Sequence, residues 1–179
     1  MKKKIKLLLA PHNDDEVLFA AYTIMREKPL VIVITDGWQH VHRYNISVEQ
    51  RRRESVEAMN MLCAPILFMG LPDDNFIEDE LRERLKWIDA DVIYAPEVYQ
   101  NGNPQHNMVG RVAKELFGDK VKTYSTYEIH NLEPKGNIII MPTEEEKNLK
   151  EHALSKYISQ LGINRAHFDA VRGKPEYLC

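Results

Sequence analysis

Residues 11–16 read PHNDDE and follow directly on the apolar run IKLLLA. His12, Asp14, Asp15 and Glu16 thus stand where a buried strand should be ending. Charged groups so close to a core are costly unless they are paired or bound to something. His12 and Asp15 are three residues apart at a strand-to-helix turn, and such a turn can aim both at one point. An imidazole with a carboxylate suits zinc, which takes a third protein ligand and keeps one position open for water in a catalytic site. Asp14, beside them, has the chemistry of a general base for that water, whose pKa zinc lowers to about 7. Glu16 suits a helix cap or a group that orients a ligand. The residues alone also allow a plainer role, because acids at a helix start are ordinary N-capping groups.

The elements around the cluster decide what can reach it. Short apolar runs at 5–10, 30–35, 65–70 and 91–96 are bounded by turn residues and read as buried strands. Amphipathic segments at 15–27, about 47–63, 78–89 and 106–117 read as helices. This alternation predicts an α/β fold, Rossmann-like, with three α/β/α layers on a mostly parallel sheet. Further strands are expected at 121–126 and 136–141, and a last helix over 144–161. Pro142 and Thr143 open that helix, with Glu144, Glu145 and Glu146 in its favourable first turn. The expected strand order is 3-2-1-4-5 plus an extra edge strand, which puts the ligand crevice beyond the carboxyl ends of strands 1 and 4. The loop PHNDDE then faces the loop EVYQNGNPQHNM, and His106 in the second supplies the third ligand.

Composition narrows the field. A chain of 179 residues that is 44% hydrophobic can bury a sizeable core, so one folded domain over 1–179 is expected. The net charge of −3 gives no electrostatic argument for nucleic acid. The start MKKKIKLLLAPHNDDE mimics a signal peptide, but its apolar run is short and meets acids, so it reads as a first strand. No apolar stretch approaches a membrane span. Cys63 and Cys179 lie far apart, which favours reduced thiols and a cytoplasmic location. The first strand–helix turn lacks G-x-G-x-x-G, which weighs against a dinucleotide-binding domain.

Further motifs recur in a telling order. Thr35-Asp36-Gly37 ends strand 2, and Arg51, Glu54 and Ala58 follow an R-x-x-E-x-x-x-A spacing. Gly70-Leu71-Pro72-Asp73 follows strand 3, and Lys150, Ala153, Leu154, Tyr157, Ser159 and Gln160 form a late helical motif. With PHNDDE, this set resembles the LmbE-like (PIG-L) superfamily of zinc-dependent N-acetylglucosamine deacetylases over most of residues 5–161. Asn13 stands where that superfamily has Pro. The resemblance implies zinc held by His12, Asp15 and His106, with Asp14 as general base. It also implies that Arg51 reaches a polar or phosphate-bearing part of the substrate and that Asp36 and Asp73 line the pocket. The loop GWQHVHRYN is a candidate lid, with Trp38 and Tyr44 suited to stacking on a sugar ring and His40 to substrate contact.

One motif departs from the pattern. The superfamily reads G-H-P-D-H after strand 4, whereas this chain reads Gly102-Asn103-Pro104-Gln105-His106. The ligand histidine is kept. The electrophilic histidine becomes Asn103, and the aspartate that orients it becomes Gln105, which leaves position 105 without an evident task. A carboxamide can donate to a developing oxyanion, but it cannot shuttle a proton near neutral pH. Asp14 would then return its proton to the leaving amine, unless His40, His42 or His130 takes the missing role. The expected activity is a zinc-dependent amidohydrolase that removes an acetyl group from an N-acetylated amino sugar or a related small N-acyl amine. The alternative is a weakly active or non-catalytic zinc- or sugar-binding member of the same fold. No long substrate-recognition insertion is visible, so the pocket is either open or completed by a second copy in a homo-oligomer.

Overall fold

The structure, a computed structural model, describes residues 4–37, 44–72, 77–127 and 132–179. Its elements in chain order begin with β1 (Lys6–Ala10), α1 (Asp15–Glu27), β2 (Leu30–Thr35), α2 (Val48–Met61) and β3 (Ile66–Leu71). Then come α3 (Glu78–Leu85), β4 (Val92–Pro96), α4 (Pro104–Phe117), β5 (Val121–Tyr124) and β6 (Ile138–Ile140). The chain closes with α5 (Glu144–Leu154), α6 (Ile158–Leu161), α7 (Arg165–Val171) and β7 (Glu176–Leu178). The sheet runs β3-β2-β1-β4-β5-β7-β6. The first five strands pair in parallel, and β7 joins β5 and β6 antiparallel.

Both faces of the central strands β1, β2 and β4 are covered, which is why they are apolar almost throughout. Successive strand residues point to opposite faces. Leu8 and Ala10 of β1 enter one core with Val31, Val33 and residues of α1, α2, α5 and α7. Leu7 and Leu9 enter the other with Ile32, Ile34 and residues of α3 and α4. The three-layer architecture and the order 3-2-1-4-5 are therefore as expected, and β1 lies between β2 and β4 at the switch point.

Two differences from the expected elements have physical causes. The last helix is not continuous over 144–161: α5 ends at Leu154, α6 begins at Ile158, and Tyr157 between them has φ −82 and ψ 58. The break lets the Tyr157 hydroxyl reach Glu16 at 2.7 Å and Ser159 reach Glu54. The tail RGKPEYLC, for which the sequence suggested either packing or extension, supplies β7 between β5 and β6. From there Glu176 accepts the backbone N–H groups of Tyr22 and Thr23, both at 2.9 Å. These N–H groups are exposed by a break inside α1 at Ala20, whose φ of −137 is not helical.

Candidate metal centre

Parallel β1 and β4 end side by side, so the loops after them converge. Asp15 opens α1 and His106 lies in the first turn of α4. Close packing of α4 on β4 is what brings His106 in. A Cβ on Gly110 would stand 2.3 Å from the Pro96 carbonyl oxygen, so the helix needs glycine there.

His12, Asp15 and His106 meet at one point. Asp15 Oδ2 lies 3.0 Å from His12 Nδ1 and 3.0 Å from His106 Nε2, and the two ring nitrogens are 3.2 Å apart. Tetrahedral zinc with ligand bonds of about 2.0–2.1 Å needs donor atoms about 3.3 Å apart, and this triangle matches within a few tenths. The donor set, two imidazoles and one carboxylate, also suits zinc and leaves room for a fourth ligand. The residues present therefore fit the ion that the resemblance implies. Burial opposes ionisation of Asp15, yet the His106 and His12 rings hold its carboxyl well below the usual carboxylate range. Burial likewise opposes a charged His12, but Asp15, Gln105 and Asp14 raise it to about 9. Phe19 packs its ring at 80° against His106 and helps to fix it.

Of the three acids, Asp14 and Asp15 do not cap the helix with their side chains. Asp14 is the N-cap of α1 but makes no side-chain cap hydrogen bond, and its backbone carbonyl accepts from Val17 and Leu18 instead. Asp15 accepts the His12 backbone N–H at 2.8 Å. Glu16, fully buried, accepts the Asp14 backbone N–H at 2.9 Å and the Tyr157 hydroxyl. Asp14 itself sits at φ 110. A non-glycine residue there is strained by about 1–3 kcal/mol and persists only where its surroundings over-determine it. Burial pushes its carboxyl well above the usual carboxylate range, against the pull of Arg51.

Arg51 is not on a solvated face. It is 2% exposed, donates to the Asn13 carbonyl at 2.6 Å, and stands 3.8 Å from Asp14 Oδ2. Gly37 makes room for it: a Cβ there would lie 2.4 Å from the guanidinium, and its φ of +72 suits only glycine well. Asn13 is buried and donates to Ser55 Oγ at 3.2 Å, tying the loop to α2. Asp36 donates its backbone N–H to the Leu71 carbonyl, joining the ends of β2 and β3. Trp38, His40, His42, Asp73 and His130 lie outside the described residues.

Positions 103 and 105 each have a task. The Asn103 side-chain oxygen caps α4, accepting from the Gln105 N–H at 2.8 Å and the His106 N–H at 3.4 Å. The Gln105 side-chain oxygen instead meets His12 Nε2. Sequence reasoning gave Gln105 no role.

The sequence profile of the GlcNAc-PI de-N-acetylase family, PIG-L, matches residues 7–117. The chain belongs to the PIG-L family. No curated protein sequence matches it. Among solved structures, this PIG-L chain is similar to the A40926 pseudoaglycone deacetylase Dbv21, with TM-score 0.73 and 16% identity over 99% of this chain and 96% of that one. It is similar to the conserved protein TT1542 from Thermus thermophilus, with TM-score 0.71 and 19% identity over 94% and 85%. It is also similar to GalB, the 4-carboxy-2-hydroxymuconate hydratase from Pseudomonas putida, with TM-score 0.69 and 12% identity over 98% and 95%. At these identities the likeness establishes the fold, which a deacetylase and a hydratase share. Among the described residues no helix is long and apolar enough to cross a membrane.

Proposed function

We propose that this chain is a zinc-dependent N-deacetylase acting on an N-acetylated amino sugar or a related small N-acyl amine. The observation that carries the reading is the triangle of His12 Nδ1, Asp15 Oδ2 and His106 Nε2, with Asp14 next in the chain and spared from capping. Zinc held there supplies Lewis acidity, lowering the pKa of a bound water to about 7 and polarising a carbonyl. Asp14 takes a proton from the attacking water as it adds to the amide carbon. The same carboxyl then hands that proton to the departing nitrogen, so the products are acetate and a free amine. Asn103 donates from its amide nitrogen to the developing oxyanion while its oxygen stays on the α4 N–H groups. Asp36, Asp73, Trp38 and His40 are the proposed substrate contacts from the loops after β2 and β3. The two exposed thiols, Cys63 and Cys179, suit a reducing, cytoplasmic setting.

The test is release of acetate and free amine from a panel of N-acetylated amino sugars by zinc-loaded protein. Equal amounts of both products support the reading. Zinc binding with no product from any of them contradicts it. One observation favours a second reading, a sugar-binding protein of the same fold. Position 103 carries no imidazole, and the Asn103 oxygen is already engaged by α4. That reading predicts saturable sugar binding without acetate.

A further inference from the structure

Gln105 and His12 meet across the site although 93 residues separate them in sequence. Gln105 follows Pro104 in the first turn of α4, where its backbone N–H is held by the Asn103 oxygen at 2.8 Å. Its neighbour His106 is itself one of the three donors. One helical turn therefore carries one ligand and touches the back of another. The other His12 nitrogen, Nδ1, faces Asp15 and His106. If Nδ1 offers its lone pair to a metal, Nε2 must carry the ring proton, and the group facing Nε2 must be an acceptor. The Gln105 side-chain oxygen is such an acceptor.

We propose that Gln105 is a positioning residue for the ligand His12, and that its neutrality tunes the metal. The inference rests on the metal-site reading above. By accepting the Nε2 proton the carboxamide fixes the His12 tautomer and ring orientation, the task that carboxylates and carbonyls perform behind metal-binding histidines. A carboxylate there would make the imidazole more basic and add a negative charge beside the ion. A carboxamide orients the ring without that charge, so the ion keeps more of its Lewis acidity at the cost of some affinity. The departure from the superfamily pattern at position 105 thus affects the metal rather than a partner at position 103.

The test uses zinc alone. Its affinity is measured by competition with a chromogenic chelator for the full chain, Gln105→Met and Gln105→Glu, with thermal unfolding of each metal-free protein alongside. Gln105→Met keeps the length and removes the acceptor, and is expected to weaken zinc binding about 10- to 100-fold. Gln105→Glu restores an acceptor and adds charge, and is expected to bind zinc more tightly than the unsubstituted protein. A merely structural role for Gln105 would not produce that order. Equal affinity of Gln105→Met and the unsubstituted protein overturns the inference while leaving the metal site standing. Gln105→Glu binding no more tightly than the unsubstituted protein overturns it too, and decides the matter if Gln105→Met fails to fold. Absence of zinc on the unsubstituted protein overturns the metal-site reading and this inference with it.

Discussion

The Arg51 guanidinium donates a 2.6 Å hydrogen bond to the Asn13 backbone carbonyl from a fully enclosed position. On the far side of the same peptide, Glu16 takes the Asp14 N–H. The peptide joining Asn13 to Asp14 is thus held from α2, while Glu16 of α1 holds the strained Asp14 from its own side. A buried arginine on a neighbouring helix thereby helps to set where the candidate base stands.

Replacing Arg51 with Met leaves the Asn13 carbonyl buried without that donor, a loss of about 1–3 kcal/mol in stability by urea denaturation. If Arg51 acts by placing Asp14, kcat falls about 10²-fold while zinc content is unchanged. A rise in KM at constant kcat would instead make it the substrate contact that the resemblance implied.

Asp14→Asn removes the base and keeps the size of the side chain. Acetate release is expected to fall about 10²- to 10⁴-fold with zinc still bound. Undiminished turnover would remove Asp14 from the mechanism.

The two tasks assigned to Asn103 can be separated. Asn103→Asp keeps an oxygen for the Gln105 and His106 N–H groups, so the melting temperature should hold. It loses the amide donor, and the rate should fall about 10²- to 10³-fold. A variant that is destabilised but as fast as the unsubstituted enzyme would leave Asn103 with capping alone.

Glu176 binds the broken turn of α1 at Tyr22 and Thr23 and stands 3.7 Å from the buried Lys150 Nζ. Glu176→Gln takes away that charge, and breaking such a buried pair costs about 3–5 kcal/mol. Urea denaturation measures it. A loss under about 0.5 kcal/mol would mean that the tail strand is only loosely tied to α1.

Arg26 hydrogen-bonds Glu146 and, with Thr143, holds its carboxyl down to about 2 from an ordinary value of 4.5. A depressed carboxyl stabilises the fold above its unfolded pKa, and that contribution is lost as pH falls from about 4.5 towards 2. Arg26 is 40% exposed, so the effect is small, under about 1 kcal/mol, and screened by salt. Glu146→Gln should flatten the acid limb of stability over that window, and an unchanged limb would contradict the pairing.

The parallel half of the fold and the meeting of His12, Asp15 and His106 were legible because one feature encodes both. Strands buried on two faces read as short continuous apolar runs, and the switch point places the loops after β1 and β4 together. The strand β7 was not legible, since three residues beside Pro175 carry no periodicity and become a strand only by pairing with β5 and β6. The environment of Arg51 was equally hidden. Arg51, Arg52 and Arg53 look alike in sequence, and what singles out Arg51 is the space left by Gly37 on another element. Glu16 was read as a cap or an orienting group. Of its real partners, the Asp14 N–H is local and belongs to the helix start, while Tyr157 is brought in by a helix break that a continuous 144–161 helix would not have made.

The most direct measurement is metal content per chain after zinc reconstitution and removal of excess ion, for the unsubstituted protein, His12→Ala, Asp15→Ala and His106→Ala. The account predicts about one zinc in the first and almost none in the other three, each of which keeps only two donors. An unsubstituted protein that holds no zinc, or a His106→Ala variant that keeps it fully, would contradict the claim that these three residues close on one ion.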